Sequence, residues 1–316
     1  MSLKYKRKNR KIKKPIVTIL VVLVLLLLQR YYPSIFESNN TITDNVVEFN
    51  QNDTSSTPLS SDFKIHFIDI GQGDCTLIED NGEYTLIDAG IRSSGDKIIQ
   101  YLNECNVDKI KYFVLTHSHA DHIGGAADVI NNFEVEKIIF PQIPKDLIPT
   151  TATFEETLEA INKFSIPVEI ASEDKMYDLG SGALEVIYPR TDDIDNANNT
   201  SVITMYTSST NFKFLSTGDA EYQIEEQLLL QNAPLKADLF KLGHHGSSTS
   251  NTYKFIKEIN PSLVVACCGI DNKYGHPHIE VVEMLENLNI KLLQTATNGD
   301  IVITVDEKGI EFTTEK

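Results

Sequence analysis

No stretch of this 316-residue chain restricts its fold more than His117-Ser118-His119-Ala120-Asp121-His122, where three histidines and a carboxylate fall within six positions. The chain has only 8 histidines in all, so this is a concentration rather than background. The run follows the apolar stretch Tyr112-Phe113-Val114-Leu115 and leads into Gly124-Gly125. That pattern predicts a buried strand, a turn and then a helix. Imidazole is the commonest neutral metal ligand, and carboxylate is a hard anionic one. Residues two apart at a strand end point to one side, so His117 and His119 can grip one ion. Past the turn, Asp121 and His122 project elsewhere and can reach a second ion.

Other polar motifs also stand where strand patterns end. Leu86-Ile87-Asp88-Ala89-Gly90 puts Asp88 at a glycine-containing turn, where it can cap that turn. Phe214-Leu215-Ser216-Thr217-Gly218-Asp219-Ala220-Glu221 puts Asp219 ahead of a helix expected over 220–231, which it is placed to cap. Phe240-Lys241-Leu242-Gly243-His244-His245-Gly246-Ser247 brings two adjacent histidines after a strand. Asp69-Ile70-Gly71-Gln72-Gly73-Asp74, Asn198-Asn199-Thr200-Ser201 and Tyr274-Gly275-His276-Pro277-His278 complete the set.

The H-x-H-x-D-H run resembles the metal signature of metallo-β-lactamase-fold hydrolases. The ordered set of motifs is similar to the extracellular metallo-hydrolase domain of ComEC-type competence proteins. This resemblance implies an α+β fold, a four-layer αββα sandwich, with two divalent metal ions, zinc or manganese. It implies His117, His119, Asp121, His122, Asp219 and His244 as metal ligands, with Asp219 bridging the two ions. It makes Asp88 a residue that orients a ligating histidine. Asn199 stands where many members carry a further histidine, and is at most a weak ligand because an amide oxygen binds less well than imidazole. Asp121, His245 and His276 are the expected catalytic set, His245 and His276 as proton donors. Lys241, Ser247 and His276 are expected against the substrate. A metal-bridging hydroxide is the implied nucleophile.

Nine basic and no acidic residues lie in positions 1–30, although the full chain has a net charge of -17. The rest holds only 19 of the 28 basic residues but all 45 acidic ones, so the body is strongly acidic. Residues 1–14 read as a basic cytoplasmic tail and 15–32, with the apolar run Ile16 to Leu28, as a transmembrane signal-anchor. Basic residues before the span place the following domain outside the cell, at the cell membrane on a single pass. Secretion after cleavage is the rival, disfavoured because Gln29-Arg30-Tyr31-Tyr32 offers no small-residue cleavage site. Residues 33–62 are rich in Ser, Thr, Asn and Asp and read as a flexible linker; 63–316 is the hydrolase domain. The four cysteines are too few and too irregularly spaced for a disulfide framework.

The resemblance points to a phosphodiesterase or nuclease acting on nucleic acid or a small phosphodiester. The acidic body opposes nucleic acid, whose binders usually present a basic face. Lys241, Lys273 and Arg190 are the candidates for a local cationic rim. An ester or amide hydrolase of lactonase or β-lactamase type suits the acidic body better, and a non-catalytic surface binding module is a third reading. No protein partner can be inferred.

Overall fold

The structure is a computed structural model and describes residues 63–188, 194, 196–306 and 309–316. The expected basic tail, membrane anchor and linker lie outside the described residues, as does Arg190. Among the described residues no helix is long and apolar enough to cross a membrane.

Six strands come first: β1 (Phe63–Phe67), β2 (Thr76–Asp80), β3 (Glu83–Ile87), β4 (Lys109–Val114), β5 (Glu134–Phe140) and β6 (Val168–Ile170). A second group follows: β7 (Lys175–Leu179), β8 (Gly182–Tyr188), β9 (Ile203–Thr207), β10 (Lys213–Ser216), β11 (Leu239–Lys241), β12 (Leu263–Ala266) and β13 (Lys291–Gln294). The chain then returns to the first group with β14 (Ile301–Asp306) and β15 (Gly309–Thr314). One sheet runs β15-β14-β1-β2-β3-β4-β5-β6 and the other β13-β12-β11-β10-β9-β8-β7.

Three separate apolar clusters reveal the layers. The first joins Phe63, Ile65 and Phe67 of β1 to Tyr206 of β9, Phe214 of β10 and Val265 of β12, so it lies between the sheets. The second packs Leu86, Phe113 and Ile138 against α1 (Gly95–Glu104), α2 (Ala120–Ile123), α3 (Ala126–Asn132) and α4 (Ala152–Phe164). The third packs Leu215, Phe240 and Val264 against α5 (Tyr222–Leu230), α6 (Tyr253–Ile259) and α7 (Ile279–Asn287). Adjacent strand residues thus face different cores, Phe113 outward and Val114 inward, Phe240 outward and Leu239 inward. That alternation is the two-residue strand period acting on sheets buried on both faces. The expected αββα sandwich is the observed one.

The Asn81-Gly82 turn joins β2 to β3 with φ of 51° and 75°, the left-handed pair that a two-residue hairpin needs. Beside it, fully buried Asp80 accepts hydrogen bonds from Ser181 N (3.1 Å), Ser181 Oγ (2.9 Å), Gly182 N (2.9 Å) and Tyr206 Oη (2.7 Å). These polar contacts tie the two sheets together away from the histidines. Strands β3, β4 and β5 are parallel, as are β10, β11 and β12. Parallel strands bring their carboxyl-terminal loops to one edge, and the polar motifs occupy those loops.

Candidate metal centre

Asp219 Oδ2 is the geometric centre of the site. It lies 3.1 Å from His122 Nε2, 3.5 Å from His245 Nε2, 3.7 Å from His244 Nε2 and 3.9 Å from His117 Nε2. Asp219 follows β10, whereas His117 and His122 follow β4, so the two sheets contribute together. His117 Nε2 lies 3.0 Å from His119 Nδ1, pairing the two imidazoles at the exposed end. On the other side His245 Nε2 lies 3.4 Å from Asp121 Oδ2, on a carboxylate that is partly exposed.

The loops are held for this purpose. Asp88 stands directly after β3, and its Oδ1 accepts Thr116 N (2.8 Å) while its Oδ2 accepts Thr116 Oγ1 (2.6 Å). The same Oδ2 lies 2.7 Å from His122 Nδ1. An ionised carboxylate can only accept, so His122 carries its proton on Nδ1 and turns a bare Nε2 to Asp219. His245 reaches the same state by another route: its Nδ1 donates to Cys267 O at 2.9 Å. His244 and His245 have φ of 50° and 56°, a conformation that costs non-glycine residues on the order of 1 kcal/mol each. Buried Asn251 holds this strained turn, accepting Gly243 N (2.9 Å) and donating to Gly243 O (2.8 Å) and Ser247 O (3.0 Å).

Gly73 explains part of the Asp69–Asp74 motif. Its φ is +136°, and a Cβ there would lie 2.4 Å from Asp121 O. Only glycine lets this loop lie against the Asp121 turn, where Asp74 N donates to Asp121 O (3.1 Å) and Gly90 N to Asp74 O (2.8 Å).

Ligand-capable atoms of Asp74, His122, Asp219 and His245 all lie within 4.8 Å of one another, and all four residues are buried. Within the described residues, buried His122 Nε2, His245 Nε2, Asp219 Oδ1 and both Asp74 carboxylate oxygens make no hydrogen bond, although Asp74 is ion-paired with Lys241. Such orphaned atoms are costly unless something else satisfies them, and a divalent cation fits this donor set. The electrostatics agree. Burial disfavours protonated His245, but Asp219 and Asp74 outweigh it and push its pKa up to about 10. Burial likewise opposes charge on His122, and Asp219 and Asp88 overcome it, raising its pKa well above the usual value. Burial, then repulsion from His122, drives His117 well below the ordinary imidazole range. Burial pushes Asp219 toward neutrality, yet His122 and His245 hold it well below the usual carboxylate range. The carboxylates thus favour positive charge on His122 and His245, and the same field favours a cation at this place.

The structure brings together His117, His119, Asp121, His122 and Asp219, with Asp88 behind His122. Five other expectations change. His245, not His244, belongs to the buried group; the strained turn aims His245 inward, whereas His244 remains partly exposed and its Nδ1 meets Thr249 Oγ1 at 3.0 Å. Asn199 is buried, but its Oδ1 accepts Glu221 N (2.9 Å), so it holds the start of α5 rather than offering a free ligand atom. Lys241 is buried and paired with Asp74, away from any substrate rim. Ser247 is buried too, and its Oγ accepts Thr249 N at 3.2 Å. His276 lies at the mouth, its ring 5.5 Å from that of His244 and 6.0 Å from that of His245. Burial, then His245 and His244, lower its pKa to about 4, so it is neutral at pH 7 and offers a hydrogen bond rather than a stored proton. Sequence reasoning missed Asp74 and Asn251 as parts of the site. Asp74 had a signal, a carboxylate after two glycines at a strand end; Asn251 had none.

Residues 68–269 match the family model described as the metallo-beta-lactamase superfamily. The chain belongs to that superfamily. Within it, the chain is 28% identical over 266 residues to ComE operon protein 3 of Bacillus subtilis, a match covering 77% of this chain and 33% of that protein. It is 26% identical over 246 residues to Competence protein ComA of Neisseria gonorrhoeae, covering 77% and 32%. These matches bear out the ComEC-type resemblance. The chain spans about a third of the length of these relatives. Among solved structures, the metallo-beta-lactamase fold protein YhfI from Bacillus subtilis superposes with a TM-score of 0.52 at 12% identity, over 76% of this chain and 99% of that one. That likeness concerns the superfamily fold alone.

Proposed function

We propose that this domain is a metal-dependent phosphodiester hydrolase acting on nucleic acid or a small phosphodiester. The observation that supports it most is that 77% of this chain aligns with a protein named for competence. In this reading His117, His119 and Asp219 would hold a first ion, with His244 beside them. Asp121, His122, Asp219 and His245 would hold a second. Two divalent ions of zinc or manganese type would supply an activated water and offset charge developing on the phosphoryl oxygens.

The chain's own residues do the rest. Asp219 carries the negative charge that lets two cations sit close together. Asp88 and Cys267 O fix the imidazole tautomers. Asp121, the most exposed carboxylate of the cluster, orients the attacking water. His276, neutral at pH 7, donates a hydrogen bond to a phosphate oxygen or to the leaving group. With Lys241 buried, substrate charge is met at the ions rather than by a lysine rim, which reconciles an acidic body with a phosphodiester. The basic cluster and apolar run over 1–32 support a membrane anchor with this domain outside the cell.

The test uses purified protein stripped of metal and reloaded with manganese or zinc. Substrates are single-stranded DNA, bis-p-nitrophenyl phosphate and a lactone. Metal-dependent cleavage of the diesters is expected; turnover of the lactone alone would overturn the reading, and turnover of none would favour a binding module.

A further inference from the structure

Lys241 is the fourth residue before His245 and shares an inter-sheet face with Leu239, two positions earlier on β11. It is 1% exposed, and a lysine is almost never so buried unless paired. Its ammonium is ion-paired with the Asp74 carboxylate and donates to Gly218 O (3.2 Å) and Leu242 O (3.1 Å). Asp74 in turn places Oδ1 3.2 Å from His245 Nδ1 and a carboxylate oxygen 3.8 Å from His122 Nδ1.

We propose that the buried Lys241–Asp74 pair is a brace for the metal centre and that Asp74 is not itself a ligand. Three features carry this. Asp74 faces the Nδ1 atoms of His122 and His245, whereas their Nε2 atoms face Asp219, so an ion reached by both Nε2 atoms lies across the rings from Asp74. The ammonium against Asp74 repels any dication approaching the same carboxylate. By holding Gly218 O, the same ammonium also fixes the residue before Asp219. One cation therefore positions three loops, those carrying Asp74, Asp219 and His245. A carboxylate behind a ligating imidazole fixes ring angle and strengthens Nε2 as a donor. Lys241 and Asp74 are positioning residues. The proposal rests on the metal-centre reading and on no particular substrate.

The test is cobalt and manganese titration of metal-stripped protein, with the visible spectrum of the cobalt form as a record of the ligand set. The proteins are wild type, Asp74→Asn, the double variant Asp74→Asn/Lys241→Met, and His245→Ala as a reference for loss of a ligand. The double variant removes both buried charges at once, so it keeps the test open if a single variant does not fold. Asp74→Asn and the double variant should bind the second ion 10–100-fold more weakly. At saturating cobalt their band positions and intensities should equal those of wild type, while His245→Ala should differ. Wild-type affinity in the folded double variant would overturn the proposal, leaving the pair a packing feature. Altered band intensity in Asp74→Asn would overturn it by making Asp74 a ligand. A wild-type protein that binds neither ion would overturn the metal centre and the brace with it.

Discussion

Four imidazoles converge on one oxygen of Asp219, and that fact governs the residue-scale behaviour of the site. On the proposed reading, Asp219→Ala should abolish tight metal binding, measured by metal content after dialysis, because both proposed ligand sets would lose their shared anion. His276→Ala should leave metal content intact and lower turnover of a phosphodiester by roughly ten- to a hundredfold, the loss of one aligned hydrogen-bond donor. Proton competition adds a pH dependence. His245 in the metal-free fold has its pKa raised to about 10, above the roughly 6.5 of a free imidazole. Its protonated form therefore stabilises that fold fully below about pH 6.5, and the contribution is lost as pH rises through about 10. An incoming ion must displace that proton, so metal affinity should rise steadily from pH 6 to 8.5, with proton release detectable by calorimetry in buffers of different ionisation heat. Spacing alone pointed to His117, His119, Asp121 and His122. It did not separate His244 from His245, because two adjacent residues in consecutive left-handed conformations obey no helix or strand period. As a cation Lys241 reads as a surface residue; its place in the alternation after Leu239 points inward, but only a buried partner makes that position tenable.

At the scale of elements, each candidate ligand owes its place to a strand that stops and a loop that is clamped. The clamp on the His244–His245 turn is Asn251, whose amide makes three hydrogen bonds. Asn251→Ala leaves buried backbone groups unpaired and should destabilise the fold by about 2–4 kcal/mol, read by urea denaturation. It should also weaken metal binding, because the strained turn would relax and withdraw His245. Most strands and helices were readable from apolar periodicity and from turn signals such as Asn81-Gly82. β7 was not: Lys175-Met176-Tyr177-Asp178-Leu179 carries two charges and an exposed methionine, and buries only Tyr177 and Leu179 at the edge of its sheet. Edge strands are shaped by their single neighbour and give a weak signal alone. The clamp itself was invisible for a related reason. Asn251 lies beyond the turn it holds, and its own backbone is fixed by Glu225 of α5, which accepts Asn251 N.

Across the whole domain, the layer order followed from strands that are apolar on both faces, whereas the polar ties between sheets, Asp80 to Tyr206 and Lys241 to Asp74, arise only from the docking of one sheet on the other. Metal binding should report on that docking. At a free-ion level a hundred times the dissociation constant, one bound ion adds about 2.7 kcal/mol of stability. For a domain of this size that is on the order of 5–10 °C in Tm, using roughly 2–4 °C per kcal/mol. Chelation should therefore lower Tm by that amount in wild type and by far less in Asp219→Ala, as measured by calorimetry. The Asp219 cluster has a further consequence. One sheet supplies His117, His119, Asp121 and His122 from the loop after β4; the other supplies Asp219 and His245. Neither half owns the complete cluster, so ions bound there would act as rivets through a seam. A chain cut in the loop between β6 and β7 would yield two pieces, each blind to metal, that regain affinity only when they reassociate.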